Sequence, residues 1–334
     1  MRFGPVPLDQ AEGAILAHSV PLAEGRLRKG LVLEPAHLAA LAQAGLTEVI
    51  VARLGEGDAP EDEAAGALAT ALAGPGVRLQ PVGTGRVNLL AEGPGIARIG
   101  AAQVHAVNAA DPAITLATVP EWARMDGGGM LATVKIVAYG VARTRLAAAC
   151  AAGRGAVALA APVLRQATLI ETVIGAEDPG PKGHAVTAER LARLDMTLAP
   201  PIRVPHRTEA LARALRQAQG DLVLVLTGSA TSDAADVCPA AIRAAGGRVD
   251  RFGMPVDPGN LLVLGALGPR PVVGLPGCAR SPALNGADWV LERLICGVPV
   301  TSGDIAGMGV GGLLKEIPTR PRPRRKRGEG EGMG

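Results

Sequence analysis

Asp236 and the small polar residues before it are the part of this chain best equipped for chemistry. They stand in Leu222-Val223-Leu224-Val225-Leu226-Thr227-Gly228-Ser229-Ala230-Thr231-Ser232-Asp233-Ala234-Ala235-Asp236-Val237. Thr227, Gly228, Ser229, Thr231 and Ser232 offer hydroxyls and backbone N–H groups to an anionic ligand. A second stretch, Pro271-Val272-Val273-Gly274-Leu275-Pro276-Gly277-Cys278-Ala279-Arg280-Ser281-Pro282, has the same build. Its Pro276, Gly277, Cys278, Arg280 and Ser281 would form a second wall, with Arg280 able to grip a phosphate through two N–H donors. Asp236 has two compatible roles, capping the helix that follows and acting on a ligand. Asp233 and Asp257 could join it around a magnesium ion, which takes carboxylate oxygens and leaves room for substrate phosphates. The reading that each of those two acids carries first is turn-forming or solvated. Cys278 is either a soft-metal ligand or a small apolar residue in a packed loop.

Buried strands must position both stretches. A short run of β-branched residues and leucine reads as a parallel strand covered on both faces. The loop beyond such a strand, with a helix N-terminus behind it, presents unpaired N–H groups and partial positive charge. Two such loops from one sheet imply a crevice for a ligand with phosphate or other acidic groups. Asp236 is predicted to cap a helix with Pro239 in its first turn and Gly246-Gly247 at its end. Ser281-Pro282 signal a further helix running to about Cys296. Residues 252–260 are dense in turn-formers, and 261–264 resume as strand. Upstream, 167–174 read as the opening strand, followed by helical patterns at 188–194 and 208–218. This alternation predicts an α/β fold with a doubly wound, mostly parallel C-terminal sheet.

Thr227-Gly228-Ser229-Ala230-Thr231, with Asp236-Val237 and Pro239, resembles the Thr-Gly-Gly-Thr-Gly … Asp-Val-Thr-Pro signature of molybdopterin-binding domains of the MoaB/MogA and MoeA/gephyrin type. Pro255-Val256-Asp257-Pro258-Gly259 is similar to that family's Met-Lys-Pro-Gly-Lys-Pro turn, and Val273-Gly274-Leu275-Pro276-Gly277 to its Gly-Leu-Pro-Gly-Asn-Pro loop. Order and spacing agree across residues 165–300. The resemblance implies binding of molybdopterin, adenylated molybdopterin or finished molybdenum cofactor, and a part in molybdenum cofactor biosynthesis. If the chain is catalytic, it implies magnesium-dependent molybdate insertion, with Asp236 and the metal acting on the adenylate phosphoanhydride. The alternative is a non-catalytic carrier or scaffold serving a nucleotidyltransferase or a molybdoenzyme. A homo-oligomer is also implied. Two departures favour binding over catalysis. Ser229 and Thr231 replace glycines, and Cys278-Ala279 stand where the family has Asn-Pro.

Composition narrows the field. Phe3, Trp122, Tyr139, Phe252 and Trp289 are the only aromatic residues, which excludes stacking-based binding of single-stranded nucleic acid. The formal charge of +3 comes from residues 318–334, where six Arg and Lys face two Glu. The rest of the chain is near neutral, so no basic nucleic-acid face is expected. Cys150, Cys238, Cys278 and Cys296 show no zinc-site spacing. With no signal-like start and no apolar run of membrane-spanning length, a cytoplasmic protein without membrane partners is expected. There is no Walker loop to support a generic nucleotide kinase.

Four segments are expected: an α+β segment at 1–76, a β-rich segment at 77–163, the α/β domain at 164–316 and a basic disordered tail at 317–334. In the first, 35–44 reads as helix, 48–51 as strand, 56–63 as an acidic loop and 64–73 as a short helix. In the second, 104–107, 113–118 and 130–137 read as strands. Gly83-Thr84-Gly85-Arg86-Val87-Asn88 is a structural turn or a phosphate cradle, and Lys135 faces either substrate or solvent. His184 and His206 are expected as surface histidines at helix entries.

Overall fold

Leu222–Leu226 carries no polar side chain and is buried at every position, which fixes it as an interior strand covered on both faces. The computed structural model describes residues 1–176 and 178–314 and places this strand in a seven-stranded sheet. It pairs in parallel with Gln166–Val173 on one side and Arg270–Leu275 on the other. Gln166–Val173 also pairs in parallel with two short strands, Thr197–Leu198 and Ile202–Pro205. Beyond Arg270–Leu275 the sheet turns antiparallel through Val263–Leu267 to Arg248–Phe252. The result is a mixed α/β fold whose main sheet is mostly parallel. Glu171, Leu226 and Leu275 are in register, so three parallel strands end along one edge.

Ile170, Val223, Val225 and Val272 pack on that sheet's core with Leu211 and Leu215 of helix Thr208–Gln217 and with Cys238, Ala241 and Ile242 of helix Val237–Ala244. The helix predicted at 188–194 begins earlier, as Lys182–Ala192. The last predicted helix begins later, as Gly286–Ile295, because Asn285 and Asp288 form the capping box and not Ser281-Pro282.

The described residues divide into two compact units: Met1–Gly93 with Ala97–Ala160, and Pro94–Ile96 with residues 161–176 and 178–314. The segments expected at 1–76 and 77–163 thus share the first unit, apart from the few residues that go with the second. The predicted basic tail lies outside the described residues. Within the first unit, Arg2–Pro7 pairs antiparallel with Glu48–Arg53, which pairs with Ile15–Leu16, and helix Pro35–Gln43 follows the same pattern as expected. Leu16, Leu33, Leu41, Val49 and Val51 give this segment its own small core. Ile114–Thr118, Met130–Ile136, Arg86–Ala91 and Val77–Gly83 form a four-stranded antiparallel sheet.

Two expectations for this unit are corrected. The strand predicted at 104–107 lies inside helix Ala101–Ala110, whose alanine-rich sequence outweighs a brief apolar alternation. The acidic loop at 56–63 ends in a helix start: Glu61, Asp62 and Glu63 form the first turn of Glu61–Leu72, where acids suit the helix dipole. The Gly-rich loop at 83–88 is a hairpin turn with Thr84 and Gly85 both at positive φ. Its Gly85 N–H donates to Asp62 Oδ1 (2.6 Å). The Lys135 ammonium donates to Thr84 O and lies 3.7 Å from Glu61 Oε2, so this lysine is engaged in holding the turn. Among the described residues no helix is long and apolar enough to cross a membrane.

Candidate functional site

Loop one leaves the carboxyl end of Leu222–Leu226 at Thr227 and reaches its helix at Asp236. Its entry is fixed from the neighbouring strand. Thr172 is 2% exposed, and its hydroxyl accepts the Gly228 N–H at 2.9 Å and lies 2.8 Å from His206 Nδ1. A Cβ on Gly228 would sit 2.7 Å from Thr172 O, so only glycine fits this approach. Asp236 Oδ2 accepts the Ser232 N–H at 3.0 Å, and Oδ1 accepts the Val237 N–H at 2.6 Å. The Ser232 bond chiefly holds the Asp236 carboxyl below its ordinary range, against the opposite pull of burial, with the Val237 bond and nearby His206 assisting. Asp233 Oδ1 accepts the Ala235 N–H at 2.7 Å. Ser229 and Ser232 are exposed, while Thr227 and Thr231 are buried.

Loop two leaves Arg270–Leu275 at Pro276, makes one 3-10 turn over Gly277–Arg280, and runs on to Asn285. Gly277, Cys278 and Ser281 are exposed, and Pro276 is buried. The Arg280 guanidinium donates to Thr227 O at 3.1 Å, joining the two loops directly. The Cys278 sulfur accepts from Asn285 Nδ2 at 3.1 Å. Cys278 is also the exposed thiol among the four cysteines. Burial pushes the Cys238 and Cys296 thiols up to about 12, which leaves them inert packing groups.

Asp257 sits apart from Asp233 and Asp236 in its bonding. It is exposed, and its backbone bridges to the 312–314 segment. Among the described residues, no three His, Cys, Asp or Glu converge as a group able to hold a metal ion. A magnesium held jointly by Asp233, Asp236 and Asp257 therefore does not fit this arrangement. Four further residues, not evident as site residues in the sequence, shape this region. Arg190 is buried and bonds Asp288 Oδ1 and the carbonyls of Ala279, Ser281 and Ala283. Its signal was its position on the buried stripe of Lys182–Ala192, with Gly183, Val186, Thr187 and Leu191. Asn285 and Asp288 carried the Asn-x-x-Asp form of a capping box. Glu171 is 1% exposed at the end of its strand, with Oε2 3.3 Å from Arg203 Nε and Oε1 lacking a hydrogen-bond partner among the described residues. Its signal was that it is the one charged residue of the strand Gln166–Val173. His206 is half-buried against Thr172, and His184 Nε2 lies 3.0 Å from Ala199 O inside the helix and not before it.

The family described as Domain of unknown function (DUF8806) matches residues 5–53, the segment that carries the small N-terminal core. No curated protein matches this chain. Among solved structures, the chain is similar to a molybdopterin biosynthesis MoeA protein from Pyrococcus horikosii. That similarity is 14% identity over 88% of this chain and 75% of that one, with a TM-score of 0.30.

Proposed function

We propose that this chain binds molybdopterin, adenylated molybdopterin or finished molybdenum cofactor at the carboxyl edge of its main sheet, and takes part in molybdenum cofactor biosynthesis. The observation that carries this reading is the Arg280–Thr227 hydrogen bond. It joins two loops, each resembling a molybdopterin-domain signature, at the ends of adjacent parallel strands. In this reading the sheet is doubly wound, and such sheets take ligands in the crevice beyond their strand ends. Ser229, Ser232 and the free donors of Arg280 would meet phosphate, and the Gly277-Cys278 turn would line the pterin.

Asp236 has both carboxylate oxygens engaged by backbone N–H groups. It shapes loop one through these two bonds. Ser229 and Thr231, where the resembling family has glycines, favour the carrier form of the proposal, in which the chain holds cofactor for a nucleotidyltransferase or a molybdoenzyme. The deciding experiment is anaerobic calorimetric titration of the chain with molybdopterin, its adenylate and finished cofactor. Submicromolar adenylate binding with molybdate-dependent AMP release would make it an insertase. Tight binding of finished cofactor without AMP release would make it a carrier. Absence of binding to all three would overturn the proposal.

A further inference from the structure

We propose that Arg190 is the positioning residue of loop two, setting the shape in which that loop meets ligand. The ligand half of this inference rests on the proposed binding function, while the positional half stands on geometry alone. Arg190 comes from helix Lys182–Ala192, about ninety positions away in sequence from the loop it holds. Its side chain is 6% exposed. One planar guanidinium reaches Ala279 O at 2.6 Å, Ser281 O at 2.6 Å and Ala283 O at 3.0 Å, while its Nε donates to Asp288 Oδ1 at 2.6 Å. Three carbonyls of an irregular segment thus converge on a single cation.

The network continues past the ion pair. Asp288 Oδ2 accepts the Asn285 N–H at 2.8 Å, and Asn285 Nδ2 donates to the Cys278 sulfur at 3.1 Å. Both ends of loop two, the 3-10 turn and the helix start, are therefore tied to Arg190. Between them Ser281, Pro282, Ala283 and Leu284 are exposed and belong to no helix or strand. The requirement is for the guanidinium in particular. A lysine ammonium would keep the charge opposite Asp288, but as a compact point donor it cannot span three separated carbonyls.

The test uses the full chain with R190K and R190A. Hydrogen exchange is followed by mass spectrometry, and binding of adenylated molybdopterin is measured under anaerobic conditions. In R190K, amides of 277–285 should exchange about tenfold faster or more, with the Leu222–Leu226 strand unchanged, and adenylate affinity should fall about tenfold. Millimolar guanidinium should restore slow exchange and binding to R190A, whereas equal sodium chloride should not. Wild-type exchange and affinity in R190K would overturn the inference. So would faster exchange spread evenly through the sheet, since that marks a general stability role. If the wild-type chain binds no adenylate, the proposed function fails, and the exchange pattern then decides the loop assignment by itself.

Discussion

The two loops at the sheet edge differ in what reaches them from elsewhere in the chain. Loop one is stabilised mainly by its own neighbours in sequence: Asp236 bonds Ser232 and Val237, and Asp233 bonds Ala235, all near solvent. Its main distant tie is the buried Thr172 hydroxyl. Loop two has local bonds as well, from the Ala279 N–H to Pro276 O, the Ser281 N–H to Cys278 O and the Asn285 N–H to Asp288 Oδ2, and it is in addition fixed from beneath by the buried Arg190–Asp288 pair. Local caps of this kind contribute little each, yield to acid and can be rearranged by a ligand. A buried, fully bonded ion pair costs much to break and offers one geometry. In the proposed binding function, that difference would give the crevice one adaptable wall and one rigid wall.

The sharpest way to break the comparison is Asp288→Asn. It removes the charge opposite a buried guanidinium and disturbs the Asn285 cap together. Losing one partner of a buried pair should cost about 3 kcal/mol, measured by urea denaturation. A cost near zero would mean that loop two is not held by this network. Next in size is Thr172→Val, which leaves the Gly228 N–H without its acceptor at the base of loop one. About 2 kcal/mol is expected from a part-buried donor left unpaired. If the loss stayed below a few tenths, loop one would be local throughout and the contrast would be stronger still.

How much of this was legible follows the same division. The Leu222–Leu226 strand was readable as a buried strand from its apolar run, and the Asp236 cap and the Gly246 stop stood where expected, because each depends on residues close in sequence. Loop one was therefore largely readable. Loop two was readable only in outline, since its geometry depends on Arg190, which folding brings in from another element. A charged residue on an apolar helix stripe announces a buried partner without naming it. The helix start at Asn285 was missed for a related reason: Ser281-Pro282 has start chemistry, but Arg190 holds the Ser281 carbonyl within the loop. Gly83-Thr84-Gly85 and Thr227-Gly228-Ser229 look alike as sequences. An antiparallel hairpin uses up the first, and a parallel strand end leaves the hydroxyl of Ser229 exposed in the second.

Asp236→Ala is expected to cost about 1 kcal/mol, the usual worth of an N-cap. Its pH dependence has a definite sign. Asp236 in the unfolded chain titrates near 3.8 and in the folded chain lower, so its stabilisation is complete above that value and is lost as pH falls through the folded one. Denaturation from pH 7 downward should therefore show a constant gap between wild type and variant that closes only below about pH 4. A gap that closed between pH 5 and 7 would overturn the assignment of this stabilisation to the Asp236 carboxylate.

The smallest expected effect is the most informative about chemistry. Asp233→Asn preserves an oxygen able to accept the Ala235 N–H while removing the charge from an exposed position. Stability should stay within about 0.5 kcal/mol of wild type. If Asp233 serves only its turn, cofactor affinity measured with and without magnesium should also be unchanged. A loss of affinity confined to the magnesium-containing titration would show that ligand binding draws Asp233 out of its turn and onto a metal. That would be a rearrangement of the adaptable wall and not of the rigid one, because the Ala235 bond it must give up is a single local hydrogen bond.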